Sequence, residues 1–389
     1  MSNHVIIIHG DLLTKERIDS IHEARSIEAT PKHRFDFVVF VPGLFHFKMA
    51  CADALWRIWV QPKGCRNDVN VFYQHIGILR PREDNKFATK PGFRRMHDVI
   101  HHDLWASILN CWEVEASKQN SAWNSLEAFA KSKPSWEVIV EMSEAIVKKY
   151  VATTSNLSEA RGRSLKERDK HFENQALRNR DELLYVDLCH AMNGGDVGHV
   201  EASLLSWIYI FKVTGKHKYA YQMTHFKVYM RHIYTDSLRQ IIRLNWLCNP
   251  TGKVFKFRAV DWLVERNNLY TKVIFAGKGS NWTIDHIVKE SLLIELYREC
   301  HVLMENAFYI HSQTINHALP NMTKTLEKLC EEIKKNSPHI FKPGREADCV
   351  IHDGIMVGME LLMDNKAVIE DLGGEEGEEE VGADDLAAE

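Results

Sequence analysis

Val5-Ile-Ile-Ile8-His-Gly-Asp11, followed after one further segment by Phe35-Asp-Phe-Val-Val-Phe-Val41-Pro42-Gly43, decides the fold class. Val5 to Ile8 is a short β-branched run, the composition of a buried strand, and it ends in an acid. Residues 14–24 read as a helix, with Lys15, Glu16 and Arg17 in its first turns and Pro31 closing the segment. Residues 35–41 read as a second strand, stopped by Pro42-Gly43. Strand, helix and strand at this spacing make a βαβ unit, so the two strands run parallel. In parallel sheets, sites gather at the carboxyl ends of the strands. Asp11 and the turn Pro42-Gly-Leu-Phe-His46 therefore become neighbours. Asp11 has two readings, a helix N-cap and a site acid.

Outward from this unit the pattern is helical. Residues 46–60 form an apolar helix, 61–92 are irregular with several Pro and Gly, and 96–150 are helical with a break near Pro134. Within the last lies His97-Asp98-Val99-Ile100-His101. Two imidazoles at i and i+4 can chelate zinc, but the intervening acid is Asp rather than Glu and no third ligand follows in sequence. Residues 151–182 carry mixed charges and read as a solvated linker or helix face. Gly194-Gly195 breaks a helix, after which Asp196 reads as a cap or a ligand, with Glu201 in the next helix's second turn. Helices continue to about residue 335, and Pro338, Pro343 and Gly344 mark the expected end of the compact body.

A second stretch nominates a place for chemistry: Asp261-Trp-Leu-Val-Glu265-Arg-Asn-Asn268-Leu-Tyr-Thr-Lys272. Asp261, Glu265, Asn268 and Lys272 sit at i, i+4, i+7 and i+11, which at about 100° per residue puts them within roughly 60° of arc. Apolar residues occupy much of the remaining circumference, so the helix is expected to be buried. Unpaired buried charge is expensive. The stripe is therefore an internal ion-pair network or the lining of a cleft.

The totals suit a globular protein: 389 residues, 45% hydrophobic and 26% charged. The apolar runs are far short of a membrane span, and the N-terminus lacks the pattern of a signal peptide. No membrane association and an intracellular place are expected, with the nucleus open. Eight cysteines without framework spacing read as free thiols in a reducing compartment. The net charge of −4 hides an asymmetry, since the acidic residues concentrate from Glu370 onward, leaving a mildly basic body that permits nucleic-acid contact. Residues 371–389 are low-complexity and acidic, the composition of a disordered tail.

Three segments together resemble a large fungal family of uncharacterised proteins: Gly10-Asp11-Leu-Leu-Thr-Lys-Glu-Arg17, Pro42-Gly-Leu-Phe-His46-Phe-Lys-Met-Ala-Cys-Ala-Asp53, and Asp187-Leu-Cys-His-Ala-Met-Asn-Gly-Gly-Asp196. The stretch from Asn249 to Lys272 matches as well. More remotely, the order of acid, helix, strand and turn histidine is similar to the middle of RNase H-like transposases of the hAT and Mutator types. That resemblance implies an N-terminally truncated member, because the strand bearing the first acid would lie upstream. It implies Asp11 as the second catalytic acid, His46 as the motif histidine with Gly43 where the cysteine would stand, and Glu265 as the final acid, with Glu201 its rival. Asp261, Asn268 or Lys272 would orient or neutralise the site. Two-metal phosphoryl transfer through Mg²⁺ or Mn²⁺ would need such carboxylates, with Asp11, Glu265, Glu201 and Asp196 as candidate ligands.

The fold expected is an α-rich α+β, a small partial RNase H-like βαβ unit followed by a mainly helical body. Its parts would be the βαβ segment at 1–60, a helical insertion and linker at 61–182, a helical core with the stripe helix at 183–340, and an extension with the acidic tail at 341–389. Three functional readings follow: a transposon-derived remnant of a DDE-type nuclease with DNA as its partner, inactive alone; a non-catalytic helical interaction module whose stripes are ion-pair networks; and a zinc hydrolase using His97 and His101.

Overall fold

The computed structural model describes residues 4–275, 283–308, 321–349 and 351–363. β1 (Ile6–Gly10) and β2 (Val38–Pro42) pair in parallel, from Ile6 opposite Val38 to Gly10 opposite Pro42. α1 (Leu12–Ala24) crosses between them, which gives the expected βαβ unit. β2 starts later than expected because Phe35 adopts φ 62° and its carbonyl accepts from Val38 N, so a turn occupies the first positions of the apolar run.

α2 (Leu44–Trp59) follows, with twelve of its sixteen residues buried, and is the helix around which the others pack. α3 (Phe72–Leu79) and α4 (Asp84–Thr89) come next. They correct the expectation that residues 61–92 are irregular, for each is too short to show a helical period among its Pro and Gly neighbours. The chain continues through α5 (Phe93–Gln119), α6 (Leu126–Lys131), α7 (Trp136–Tyr150), α8 (Thr154–Gly162), α9 (Lys170–Gly194) and α10 (Val197–Val213). Then come α11 (His217–Val228), ending in a π turn, and α12 (Asp236–Asn245). A short antiparallel pair, β3 (Leu247–Cys248) and β4 (Arg258–Ala259), leads into α13 (Val260–Phe275). α14 (Ile284–Ser291), α15 (Ile294–Ala307), α16 (Thr323–Asn336) and α17 (Gly354–Met363) complete the described elements. The architecture is thus a small parallel pair attached to a helical body. α2 packs against α5, α9, α10 and α13. Among the described residues, no helix is long and apolar enough to cross a membrane.

α9 overturns the reading of residues 151–182 as solvated. Its Glu173, Gln175, Arg178, Asn179, Arg180, Asp181 and Glu182 are all buried. They tolerate burial because most meet partners of opposite charge or complementary hydrogen-bonding type. The Arg178 guanidinium lies 3.3 Å from Asp103 and donates to Asn70 O at 3.0 Å and Gln175 Oε1 at 2.7 Å. His75 bonds the other Asp103 oxygen. Arg180 bridges Asp181 at 2.9 Å and Asp353 at 2.8 Å, and Trp59 Nε1 donates to Asp181 at 3.1 Å. A charge pattern in sequence cannot distinguish a wet face from a paired interior one.

The end of the compact body also lies later than expected. Beyond Pro338, Arg345 forms a forked pair with Asp169 at 2.8 and 2.7 Å, and His339 is buried. α17 lies on α10 so closely that a Cβ added at Gly358 would sit 2.2 Å from Tyr209 O. Cys65 and Cys349 form a disulfide, which corrects the reading of all eight cysteines as free thiols; the other six are free. The expected tail at 371–389 lies outside the described residues.

Glu182 generates a test. It is fully buried beside Asp103. Burial, with the charge of Asp103 beside it, raises its pKa well above the carboxylate range despite Arg178. A raised acid stabilises the fold fully below the unfolded value and loses that contribution as pH climbs through the folded one. Glu182→Gln should therefore flatten the decline of stability with pH above the ordinary glutamate value, measured as urea midpoints across a pH series.

Candidate functional site

The carboxyl ends of β1 and β2 are tied by Gly43 N donating to Gly10 O at 2.8 Å. Two helices start there. α1 is capped by Asp11, whose Oδ1 accepts from Thr14 N at 2.8 Å, so the capping reading of Asp11 holds. α2 receives no side-chain cap from Gly43. Its first amides are satisfied from far along the chain by Asp261. Phe45 N donates to both Asp261 oxygens at 3.1 Å, and His46 N to Oδ2 at 3.2 Å. An anion at a helix N-terminus meets unpaired N–H groups and the positive end of the helix dipole. Gly43 is required by this approach, because a Cβ there would lie 2.2 Å from Asp261 Oδ2.

The same Oδ2 takes His46 Nδ1 at 3.0 Å. With Nδ1 donating to the carboxylate, Nε2 is the nitrogen presented to Glu265, 3.8 Å from its Oε1. Glu265 stands one turn beyond Asp261 on α13, as the stripe required. Together His9, Asp11, Arg17, His46, Asp261 and Glu265 line an open cleft of about 320 Å³. Asp11 and Glu265, far apart in the sequence, thus line one cleft with the nominated histidine.

Burial works to depress the His46 pKa. The hydrogen bond to Asp261 and the charges of Asp261, Glu265 and Asp11 outweigh it, and the net shift is upward. His9 moves the other way, lowered by burial against the opposing pull of Asp261, and its buried Nδ1 has no hydrogen-bond partner. The cleft therefore holds one histidine whose pKa is raised beside carboxylates and another whose pKa is lowered. An Asp–His pair of this kind can hold or release a proton at Nε2. His9 was not nominated from sequence, although its position two before Asp11 matches the strand period.

The remaining nominees lie elsewhere. Asp196 caps α10, accepting from His199 N at 3.0 Å. Glu201 accepts a forked pair from Arg243 at 3.1 and 2.8 Å and lines a separate cavity with Lys227, Arg231 and Arg239. Glu201 therefore does not line the cleft that holds Asp11, and Glu265 does. The side chains of Asn268 and Lys272 lie outside the described residues. Val264 is half exposed, so α13 is not buried on all its apolar sides. His97 and His101 of α5 do not line the cleft; Cys189 of α9 lies beside them, one nitrogen or sulfur atom of each within 4.8 Å of the others.

Two outcomes test this arrangement. Gly43→Ala should destabilise the fold by about 1–3 kcal/mol in urea unfolding, since the new Cβ forces Asp261 off the α2 amides. In a histidine NMR titration, His46 should titrate above the ordinary value of 6.5, and Asp261→Asn should bring it down, because burial then acts with less opposition. The stability that His46 contributes is present below the unfolded value and fades as pH rises through its folded pKa.

No curated protein and no solved structure matches the chain. A family model, described as a family of unknown function (DUF6589), matches residues 1–317, a span that contains every residue of the cleft. On that match the chain belongs to the DUF6589 family.

Proposed function

We propose that the chain is a transposon-derived protein, the remnant of an RNase H-like DDE-type transposase or nuclease, whose cleft binds one divalent cation and does not complete catalysis alone. The observation that carries this reading is the meeting of Asp11, at the carboxyl end of β1, with Glu265 of α13 in one cleft beside His46. The reading brings with it DNA as partner, an intracellular place of action with the nucleus open, and a fungal lineage.

The donor set limits the chemistry. Both oxygens of Asp261 are taken by the α2 amides and His46. Asp11 spends Oδ1 on its own helix, which leaves its second oxygen and Glu265. Two carboxylates suit one hard cation such as Mg²⁺ or Mn²⁺. They fall short of the bridging set that holds a metal pair about 4 Å apart. A bound cation would supply charge neutralisation for a phosphate. Arg17 would add a second positive charge, and His46 would hold a proton at Nε2.

A second reading has its own support. The occupation of Asp11 and Asp261 as helix caps is what a non-catalytic interaction module, with structural carboxylates, would show. Calorimetric titration with Mn²⁺ separates the two. The remnant reading expects one ion per chain, bound at least about tenfold more weakly by Asp11→Asn and by Glu265→Gln, with no Mn²⁺-dependent nicking of supercoiled DNA by any of the three proteins. Mn²⁺ binding unchanged by both substitutions overturns it in favour of the module. Nicking by the parent chain that Asp11→Asn abolishes overturns the claim of inactivity.

A further inference from the structure

Away from the cleft, α5 and α9 pack together with an unusual trio between them. His97 and His101 stand one helical turn apart, their ring centroids 4.3 Å from each other. Cys189 comes from α9, and one ligating atom from each of the three lies within 4.8 Å of the others. Zinc bonds of about 2.0–2.3 Å space tetrahedral ligands by roughly 3.3–3.7 Å, so small side-chain rotations would close the set. The His101 ring is already set as a metal-bound histidine is. His101 Nδ1 donates to His97 O at 2.8 Å, which leaves the lone pair of the neutral ring on Nε2. His97 Nδ1 is held by the Tyr185 hydroxyl at 2.9 Å. Such outer partners fix tautomer and ring plane around a metal.

We propose that His97, His101 and Cys189 form a zinc site, distinct from the acidic cleft and independent of the reading given to it. Three protein ligands of this softness, with a fourth position left for water or a small molecule, are the pattern of open rather than closed zinc sites. Burial lowers both imidazoles, His101 to about 4, so each enters as the neutral ligand that a metal needs. Cys189 enters as thiolate and gives up its proton to solvent when the ion binds. Lys48 is the opposing charge. It is buried, and its positive charge acts on all three side chains. The Lys48 ammonium lies 5.5 Å from the Phe93 ring centroid, and its charge opposes a cation held by the trio.

The test uses the full chain, stripped with a chelator and titrated with Co²⁺. The expected result is a thiolate-to-cobalt charge-transfer band in the near ultraviolet and the strong visible absorption of tetrahedral Co²⁺, both saturating at one equivalent and both displaced by Zn²⁺. Cys189→Ser should abolish the charge-transfer band, while Asp11→Asn should keep it, which separates this site from the cleft. Absence of the band in the parent chain, or its persistence in Cys189→Ser, overturns the proposal. Should Cys189→Ser fail to fold by circular dichroism, His101→Gln decides. A loss of at least about tenfold in Co²⁺ affinity sustains the site, and unchanged affinity overturns it.

Discussion

The Asp261 carboxylate, seated on the first amides of α2, is the contact on which the geometry of the cleft depends. α2 is nearly all buried, so its N-terminal N–H groups have no water to turn to. Gly43 cannot cap them and must stay small for the carboxylate to reach. One acid from α13 therefore satisfies the helix start, orients His46, and brings Glu265 to the end of the parallel strands. Remove it, and a buried helix end and a buried imidazole lose their partner together.

The interior around that helix is held by the same logic at larger scale. α9 carries a row of buried charges, and Arg178, Arg180, Asp103, Asp181 and Asp353 balance one another across three parts of the chain. Such networks contribute less to net stability than equal apolar packing does, but leaving one member unpaired is strongly unfavourable. They join distant segments: Asp353 follows α16, and Arg345 returns to Asp169 at the start of α9. The segment that reads as an extension in sequence is thereby part of the body.

The two clusters differ in donor chemistry. The cleft presents oxygen ligands and a proton-holding histidine on an open wall, suited to hard cations and phosphate. The α5–α9 trio presents nitrogen and sulfur under burial, suited to zinc. The cleft lies at the edge of the small parallel sheet, and the trio lies between packed helices of the body.

The residues alone were enough to establish the βαβ start, the helical body and the stripe that puts Asp261 and Glu265 on one face of α13. These depend on local periods of two and 3.6, which a sequence carries openly. The capping roles of Asp11 and Asp196 were readable for the same reason, since a cap acts within three residues. Only the tertiary structure decided that Glu265 and not Glu201 lines the same cleft as Asp11, that Asp261 serves α2, and that Cys189 lies beside His97 and His101. It also decided that the charges of α9 face inward, and that Cys65 bonds Cys349. Each of these is a contact between segments far apart in the chain. Pairing of that kind leaves no local period, because an acid that will meet a distant amide reads the same in sequence as one that will meet water.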